Sequence, residues 1–234
     1  MLHPLSVVII TKNEEKNIAN AIKSAKFASE VLILDSGSED KTCEISRKLG
    51  ARVEYQSWLG FGRQKNQAIR LAKNNWVMVL DADEVITPKL QLEILEKLKK
   101  PNCNGYLVPR VNNFFGKDIR FCGLYPDYSL RLFNKKFGKF NNLAVHESVI
   151  LKGKKDYLRN NLRHLAYESV GQFIDKQKKY ANLSKKKKNI MKAILSPIWV
   201  FFKIFFLRLG FLDGWRGFVI AYLYSKYTFW KYSR

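Results

Sequence analysis

This chain of 234 residues is poor in cysteine, histidine, proline and acid. Its three cysteines, Cys43, Cys103 and Cys122, are scattered and lack metal-ligand spacing, which excludes a disulfide framework and fits a reducing, cytosolic setting. No unbroken apolar run reaches the roughly 20 residues of a spanning helix. The nearest approach, Ile194 to Leu207, is shorter and is interrupted by Ser196-Pro197 and Lys203. Met1-Leu2-His3-Pro4 leads straight into a strand pattern, so no secretory leader is expected. No internal repeat is evident. Acid is scarcest of all: 20 Asp and Glu face 42 Lys and Arg, a net charge of +22. The imbalance is uneven. Residues 1–150 hold 23 basic and 16 acidic side chains, net +7, whereas 151–234 hold 19 and 4, net +15. A basic block of this kind suits an anionic partner: nucleic acid, an anionic membrane or a phosphorylated acceptor. An apolar content of 47% supports one ordinary core with a small appendage.

The first hundred residues alternate strand and helix signals. Leu5 to Ile10, Val31 to Leu34, Ala51 to Glu54 and Trp76 to Leu80 read as strands. Glu15 to Ala28, with Ile18, Ala21, Ile22, Ala25 and Ala28 at helical spacing, reads as a helix. Glu39 to Leu49, stopped by Gly50, and Arg63 to Asn74 follow, and Thr87-Pro88 opens another. Four βα units imply a mostly parallel sheet with helices on both faces. After Pro101 the pattern changes to short strands without helices between them: Tyr106 to Val111, Ser129 to Phe133 and Ser148 to Leu151. From about Glu168 the chain reads as helical, with Lys185-Lys186-Lys187-Lys188 between two helical stretches.

Chemistry concentrates where the strands end. Asp81-Ala82-Asp83-Glu84 follows a buried strand, so two carboxylates two residues apart sit at the edge where open α/β sheets bind ligands. Such a pair can turn toward one hard divalent cation, directly or through water. Strand one ends at Thr11-Lys12-Asn13-Glu14-Glu15 and strand two at Asp35-Ser36-Gly37-Ser38, on the same edge. Asp35 can accept a hydrogen bond from a base N–H or a ribose hydroxyl, and the N–H groups around Ser36-Gly37-Ser38 can face an anion. Gly60-Phe61-Gly62-Arg63-Gln64-Lys65-Asn66 puts glycines around cations at a helix start, a composition suited to a diphosphate.

Taken together, Val7-Val8-Ile9-Ile10-Thr11-Lys12-Asn13-Glu14, Asp35-Ser36-Gly37-Ser38-Glu39-Asp40, Lys65-Asn66 and Leu80-Asp81-Ala82-Asp83-Glu84 resemble an inverting family 2 glycosyltransferase with the GT-A (Rossmann-like) fold, in family order and spacing. Tyr125-Pro126-Asp127, Leu130-Arg131-Leu132-Phe133, Val145-His146-Glu147 and the tail Gly210-Phe211-Leu212-Asp213-Gly214-Trp215-Arg216-Gly217-Phe218 resemble the bacterial lipopolysaccharide-core subgroup that adds β-1,4 glucose to inner-core heptose. The resemblance implies a GT-A catalytic domain over residues 1–167, with a nucleotide-sugar half of about 1–100 and an acceptor half of about 101–167. Residues 168–234 would form a basic, aromatic helical extension associated with the membrane.

The resemblance also implies site roles. Thr11, Asn13, Glu14, Asp35, Ser36, Gly37, Lys65, Asn66, Asp81, Ala82 and Asp83 would bind the nucleotide sugar. Asp83 would be the direct ligand of Mg²⁺ or Mn²⁺, with Asp81 nearer the ribose and His146 on the metal or acceptor side. Glu147 would be the base that takes the acceptor proton, with Asp127 the alternative. Tyr125 and Arg131 would meet the acceptor; Arg131 could hold a phosphate of acceptor or donor, or else simply pair with Asp127. The implied donor is UDP-glucose, and the implied acceptor a lipid-linked glycan at the cytoplasmic face of the inner membrane. Trp199, Trp215 and Trp230 among lysines and arginines suit peripheral or monotopic attachment. Two other classes fit parts of the pattern: a basic nucleic-acid binder, disfavoured by the acids at the strand ends, and a nucleotidyltransferase with a related sheet.

Overall fold

In the computed structural model, the described residues are 4–141, 143, 147–167, 171, 174 and 189–233. The chain forms two compact units. The first comprises Met1–Arg110 and Tyr128–His164, the second Val111–Asp127 and Leu165–Arg234.

The first unit is built on β1 (Leu5–Thr11), β2 (Glu30–Asp35), β3 (Arg52–Tyr55) and β4 (Trp76–Asp81), all mutually parallel in the order β3-β2-β1-β4. The middles of β1, β2 and β4 are apolar on both sides because both faces of the sheet are covered. Val7, Ile9, Ile33, Met78 and Leu80 pack with Ile18, Ala21 and Ile22 of α1 (Ile18–Ala25) and with Leu90 and Ile94 of α4 (Pro88–Lys99). Their neighbours Val8, Leu32, Leu34, Val77 and Val79 pack on the other face with Ala68 and Ile69 of α3 (Phe61–Leu71). Beyond β4 the direction reverses: β8 (Asp127–Asn134) runs antiparallel to β4, and the order continues β8-β6-β12-β5. The sheet is therefore mixed, parallel over β3-β2-β1-β4 and reversing direction at β8. Here β5 is Glu84–Ile86, β6 is Gly105–Phe114, β11 (Lys155–Tyr157) lies parallel on β6, and β12 is Leu162–Tyr167. A separate ribbon pairs β9 (Gly138–Phe140) with β10 (Val149–Leu151).

Element limits follow local chemistry. α1 starts three residues later than its apolar spacing predicts, because the Glu14 and Glu15 N–H groups bond Thr42 and Asp40 across the loop. α2 (Thr42–Lys48) ends at Gly50, whose φ of +84° suits glycine alone. Thr87 caps α4 through Leu90 N–H, with Pro88 in the first turn.

In the second unit, the end of β6 turns back on β7 (Lys117–Ile119). A helical hairpin follows: α5 (Ile190–Phe202), a π-helical turn at Lys203–Leu207, a 3-10 turn at Gly210–Asp213, and α6 (Trp215–Ser233). Asn189 caps α5, so the apolar run starts at Ile190 rather than Ile194. Residues 190–207 are then long and apolar enough to cross a membrane by length and composition. The hairpin closes where Asn189 N–H meets Tyr232 C=O at 3.0 Å and Ser225 Oγ meets Pro197 C=O at 2.8 Å. Lys185 to Lys188 lie outside the described residues.

The tail motif fastens this turn. Buried Asp213 accepts Phe121 N–H at 2.9 Å, and Arg216 donates to Phe115 C=O at 2.8 Å. Gly217 lets α6 pass close to Gly210: a Cβ there would lie 1.8 Å from the Gly210 carbonyl oxygen. Gly217→Ala is therefore expected to destabilise the protein by about 1–3 kcal/mol, the usual cost of overpacking. A lowered thermal midpoint checks this; an unchanged midpoint would mean the contact is absent in solution.

Candidate active site

The loops after β1 and β2 are stitched to each other. Asn13 N–H bonds Ser38 Oγ at 2.8 Å, and Glu39 N–H bonds the Asn13 side-chain oxygen at 2.9 Å. Glu15 and Lys41 exchange further bonds with Asp40 and Glu15. Asp35 is the hub. It accepts from Gly37 N–H, Ser38 N–H, the Ser38 hydroxyl and Thr11 Oγ1. Burial pushes its carboxyl up, but these four bonds outweigh that and leave it below the usual range. Gly37 sits at φ +91°, which the turn requires. Ser36 accepts from the wholly buried Gln64. Glu14 lies partly buried in the same loop. Burial raises its carboxyl; Asn17 opposes the rise, and repulsion from Asp83 and Asp40 adds to it.

At the end of β4, Asp81 pairs with Lys65 at 3.1 Å and with Arg131 at 2.8 Å. Arg131 also holds Glu84 at 2.7 Å, and Arg110 stands 3.6 Å from Glu84. Burial works against ionising Asp81, yet the two cations hold its carboxyl well below the ordinary range. Glu84 is 0% exposed, and burial raises it despite Arg131. Arg131 thus serves both carboxylates of the strand end. The motif Asp81-Ala82-Asp83-Glu84 divides accordingly: Asp81 and Glu84 face inward cations, while Ala82 and Asp83 form the turn into β5. The sequence marked Glu84 only as part of the motif; its pairing with Arg131 and Arg110, distant in sequence, is visible only in three dimensions.

Lys65 is 4% exposed and bridges Asp81 to Glu147, 3.0 Å away. The segment carrying Glu147 is anchored on α3. Asn66 takes both Phe140 N–H and C=O, and Asn141 bonds Ser148. Gly62 permits the approach: a Cβ there would lie 2.2 Å from the Asn141 carbonyl oxygen. The glycine-rich start of α3 therefore seats the Glu147 segment. His146 lies outside the described residues. Lys65, Asp81, Arg131 and Glu147 line one cavity of about 570 Å³, whose other wall includes Arg110, Tyr128 and Lys155.

Asp83 meets a partner that sequence reading missed. His164 Nε2, on β12, lies 3.1 Å from Asp83 Oδ2. Its signal was slight: it is one of three histidines, in the short mixed stretch Leu162-Arg163-His164-Leu165. Antiparallel pairing of His164 with Glu84 brings it there. Tyr125 and Asp127 belong to the second unit, where Tyr125 precedes a cis proline and its ring faces Arg120.

Comparison with known proteins gives the family and the fold. Residues 6–154 match the profile described as Glycosyl transferase family 2. The chain is 34% identical to an uncharacterized glycosyltransferase of Rickettsia bellii (strain RML369-C), covering 98% of this chain and 85% of the relative. It is 30% identical to the lipopolysaccharide core biosynthesis glycosyltransferase LpsC of Rhizobium meliloti (strain 1021), covering 97% and 89%. Among solved structures, S. aureus TarS 1–349 aligns with a TM-score of 0.52 at 13% identity, over 95% of this chain and 90% of that one, which shows a shared fold.

Arg131→Met tests the charge cluster. It leaves Asp81 and Glu84 without their common cation, so a loss of roughly 3–5 kcal/mol in folding stability is expected. Denaturant unfolding measures it; near wild-type stability would mean that water reaches these acids and replaces the arginine.

Proposed function

Because the chain belongs to glycosyl transferase family 2, we propose that it moves a hexose, glucose from UDP-glucose, onto a lipid-linked glycan, the inner core of lipopolysaccharide, at the cytoplasmic face of the inner membrane. The observation that carries the chemistry is the convergence of Asp81, Lys65 and Glu147 on one cleft at the carboxyl edge of the sheet. Likeness to LpsC along nearly the whole chain supports the acceptor. Family membership favours sugar transfer over the nucleotidyltransferase and nucleic-acid readings.

The nucleoside is received at Thr11 and Asp35 and the loop they shape. A divalent Mg²⁺ or Mn²⁺ fits Asp83 and His164, a carboxylate oxygen and an imidazole nitrogen 3.1 Å apart and partly open. One or two protein ligands, completed by phosphate oxygens and water, are the usual holding for such ions. Asp81 suits that role less, since both of its oxygens already meet cations. When bound, the metal would neutralise charge on the departing diphosphate. Glu147 takes the acceptor hydroxyl proton as that oxygen bonds the anomeric carbon; the bond to the diphosphate breaks and configuration inverts. Lys65 orients the Glu147 carboxylate and ties it to the strand end that carries the donor motif. Asp127 is the alternative base.

Transfer from UDP-glucose with added metal tests these roles. Asp83→Ala and His164→Ala are each expected to abolish metal-dependent donor binding, read by titration of UDP with Mn²⁺. Glu147→Gln should keep donor binding and lose transfer by on the order of 10²-fold or more. Full turnover by folded Asp83→Ala would remove the metal assignment; a selective rate loss in Asp127→Asn, with Glu147→Gln nearly silent, would move the base.

The hairpin supports membrane attachment in the plane of the bilayer. Ile190, Ile194, Ile198, Phe202 and Phe206 recur every four residues and all are exposed. Arg216 and Lys226 lie over the rings of Trp215 and Trp230, an arrangement at home among headgroups. The full chain should float with anionic liposomes, partly released by salt and fully by detergent. A chain ending near Lys188 should stay behind; equal flotation of both would place the contact elsewhere.

A further inference from the structure

The first unit carries an apolar rim beside the Glu147 segment that the reaction does not use. Trp58 and Leu59, on the loop from β3 to α3, and Phe61, at the start of that helix, are 48%, 42% and 51% exposed. Trp58 and Phe61 stand edge to face, with ring centroids 4.8 Å apart. The loop is held in place: wholly buried Gln64 accepts Leu59 N–H at 3.3 Å and donates to Gln56 C=O at 3.1 Å. The close approach of Gly62 to Asn141 brings a second piece alongside. Leu143, 57% exposed, is tied there by its N–H to the Asn141 side-chain oxygen at 3.3 Å. A Cβ on Gly62 would lie 3.7 Å from that of Glu147, so the rim and the proposed base are neighbours.

The surroundings are basic. Between Glu54 and Asp81 the sequence has four basic residues and no acid, and from Lys135 to Lys155 it has six and one acid, Glu147. On the β9–β10 ribbon, Phe140 packs inward, while Lys139 and Ile150, paired across the strands, share the exposed outer face. Lys136, Phe137 and Lys152 are exposed on the same ribbon. Apolar side chains among cations, with acid nearly absent, suit an anionic bilayer. Nucleic acid would use the cations and leave Leu59, Leu143 and Ile150 in water. We infer that this rim is a second membrane contact, made by the first unit itself: Trp58, Leu59, Phe61 and Leu143 enter the headgroup boundary, and the ribbon lysines face anionic lipid. The inference rests on the glycosyltransferase reading for its role, but the contact can be measured without turnover. What it adds is orientation. A sugar joined to a lipid stays close to the bilayer, so the segment carrying Glu147 must come close to it. Attachment remains with the hairpin, because four partly exposed side chains are a smaller anchor than one myristoyl chain, which alone binds marginally and reversibly.

Tryptophan emission of the full chain on vesicles of phosphatidylethanolamine and phosphatidylglycerol tests it. The difference between the unaltered chain and Trp58→Phe isolates Trp58 from the other tryptophans. Brominated lipid should quench that component, and Lys136→Gln with Lys139→Gln and Lys152→Gln should weaken the quenching. Trp58→Ser with Leu59→Ser and Leu143→Ser should still float with these vesicles and bind UDP with Mn²⁺ unchanged. Its transfer to vesicle-embedded lipopolysaccharide should fall on the order of tenfold, while transfer to deacylated lipopolysaccharide stays. A Trp58 component that brominated lipid does not quench, in a chain that floats, overturns the inference. So does an equal fall on both acceptors, which would mean that the rim shapes the cleft. A Trp58 shift on adding UDP and Mn²⁺ without vesicles would give the loop to the donor site, and a doubled mass without vesicles that the Ser variant abolishes would give the rim to a second copy; either overturns it. Absence of sugar transfer by the unaltered chain, with Trp58 quenching intact, would instead sink the enzymatic reading and leave this contact standing.

Discussion

The site hangs on one buried guanidinium. Arg131 sits between Asp81 and Glu84, and Lys65 extends the chain of charges to Glu147. Four elements distant in sequence, α3, β4–β5, β8 and the segment before β10, meet through these ion pairs. An apolar contact at the same place would tolerate sliding. A buried charge does not, because its partner must stay within hydrogen-bond reach or leave an uncompensated ion. The cluster therefore fixes the position of the Asp81 strand end relative to Glu147, while Asp83, on the turn, meets His164. Asp81 and Asp83 share a motif yet have opposite surroundings: one neutralised from within, the other beside an imidazole and open to a ligand.

The second unit shows a different use of charge. Between Asn189 and Ser233 the chain has six basic residues and one acid, and that acid, Asp213, is buried against backbone N–H groups. Its negative charge serves the turn rather than the surface, so the exposed hairpin presents apolar side chains and cations together. Lys226 and Lys231 rest near tyrosine and tryptophan rings, which lets long side chains keep their heads polar beside an apolar face.

Much of the parallel half was legible in the sequence. β1, β2 and β4 are buried on both faces, so their apolar runs stand out, and the acids that follow mark the working edge. Gly50 and Thr87-Pro88 announced helix limits through backbone requirements that are local. The rest depended on pairing across long separations. β5, β11 and β12 are short and mixed in polarity, and nothing in residues 162–167 says that His164 will pair with Glu84 and meet Asp83. The glycines of α3 read equally as a phosphate loop or a flexible link; their use as a seat for Asn141 needs the partner in view. Arg131 could be singled out as a cation, but its choice of Asp81 and Glu84 was set by strand order, because β8 lies directly beside β4.

The stitched loops have a thermodynamic consequence of their own. Asn13, with its positive φ of 56°, exchanges bonds with Ser38 and Glu39, and Thr42 and Asp40 reach back to Glu14 and Glu15. Two connections that would otherwise fluctuate separately are joined into a single rigid rim over β1 and β2. The ordering entropy of that rim is spent during folding rather than at the arrival of a ligand. Free energy gained from each new contact can then appear as affinity, and motion needed for turnover must come from elsewhere in the molecule.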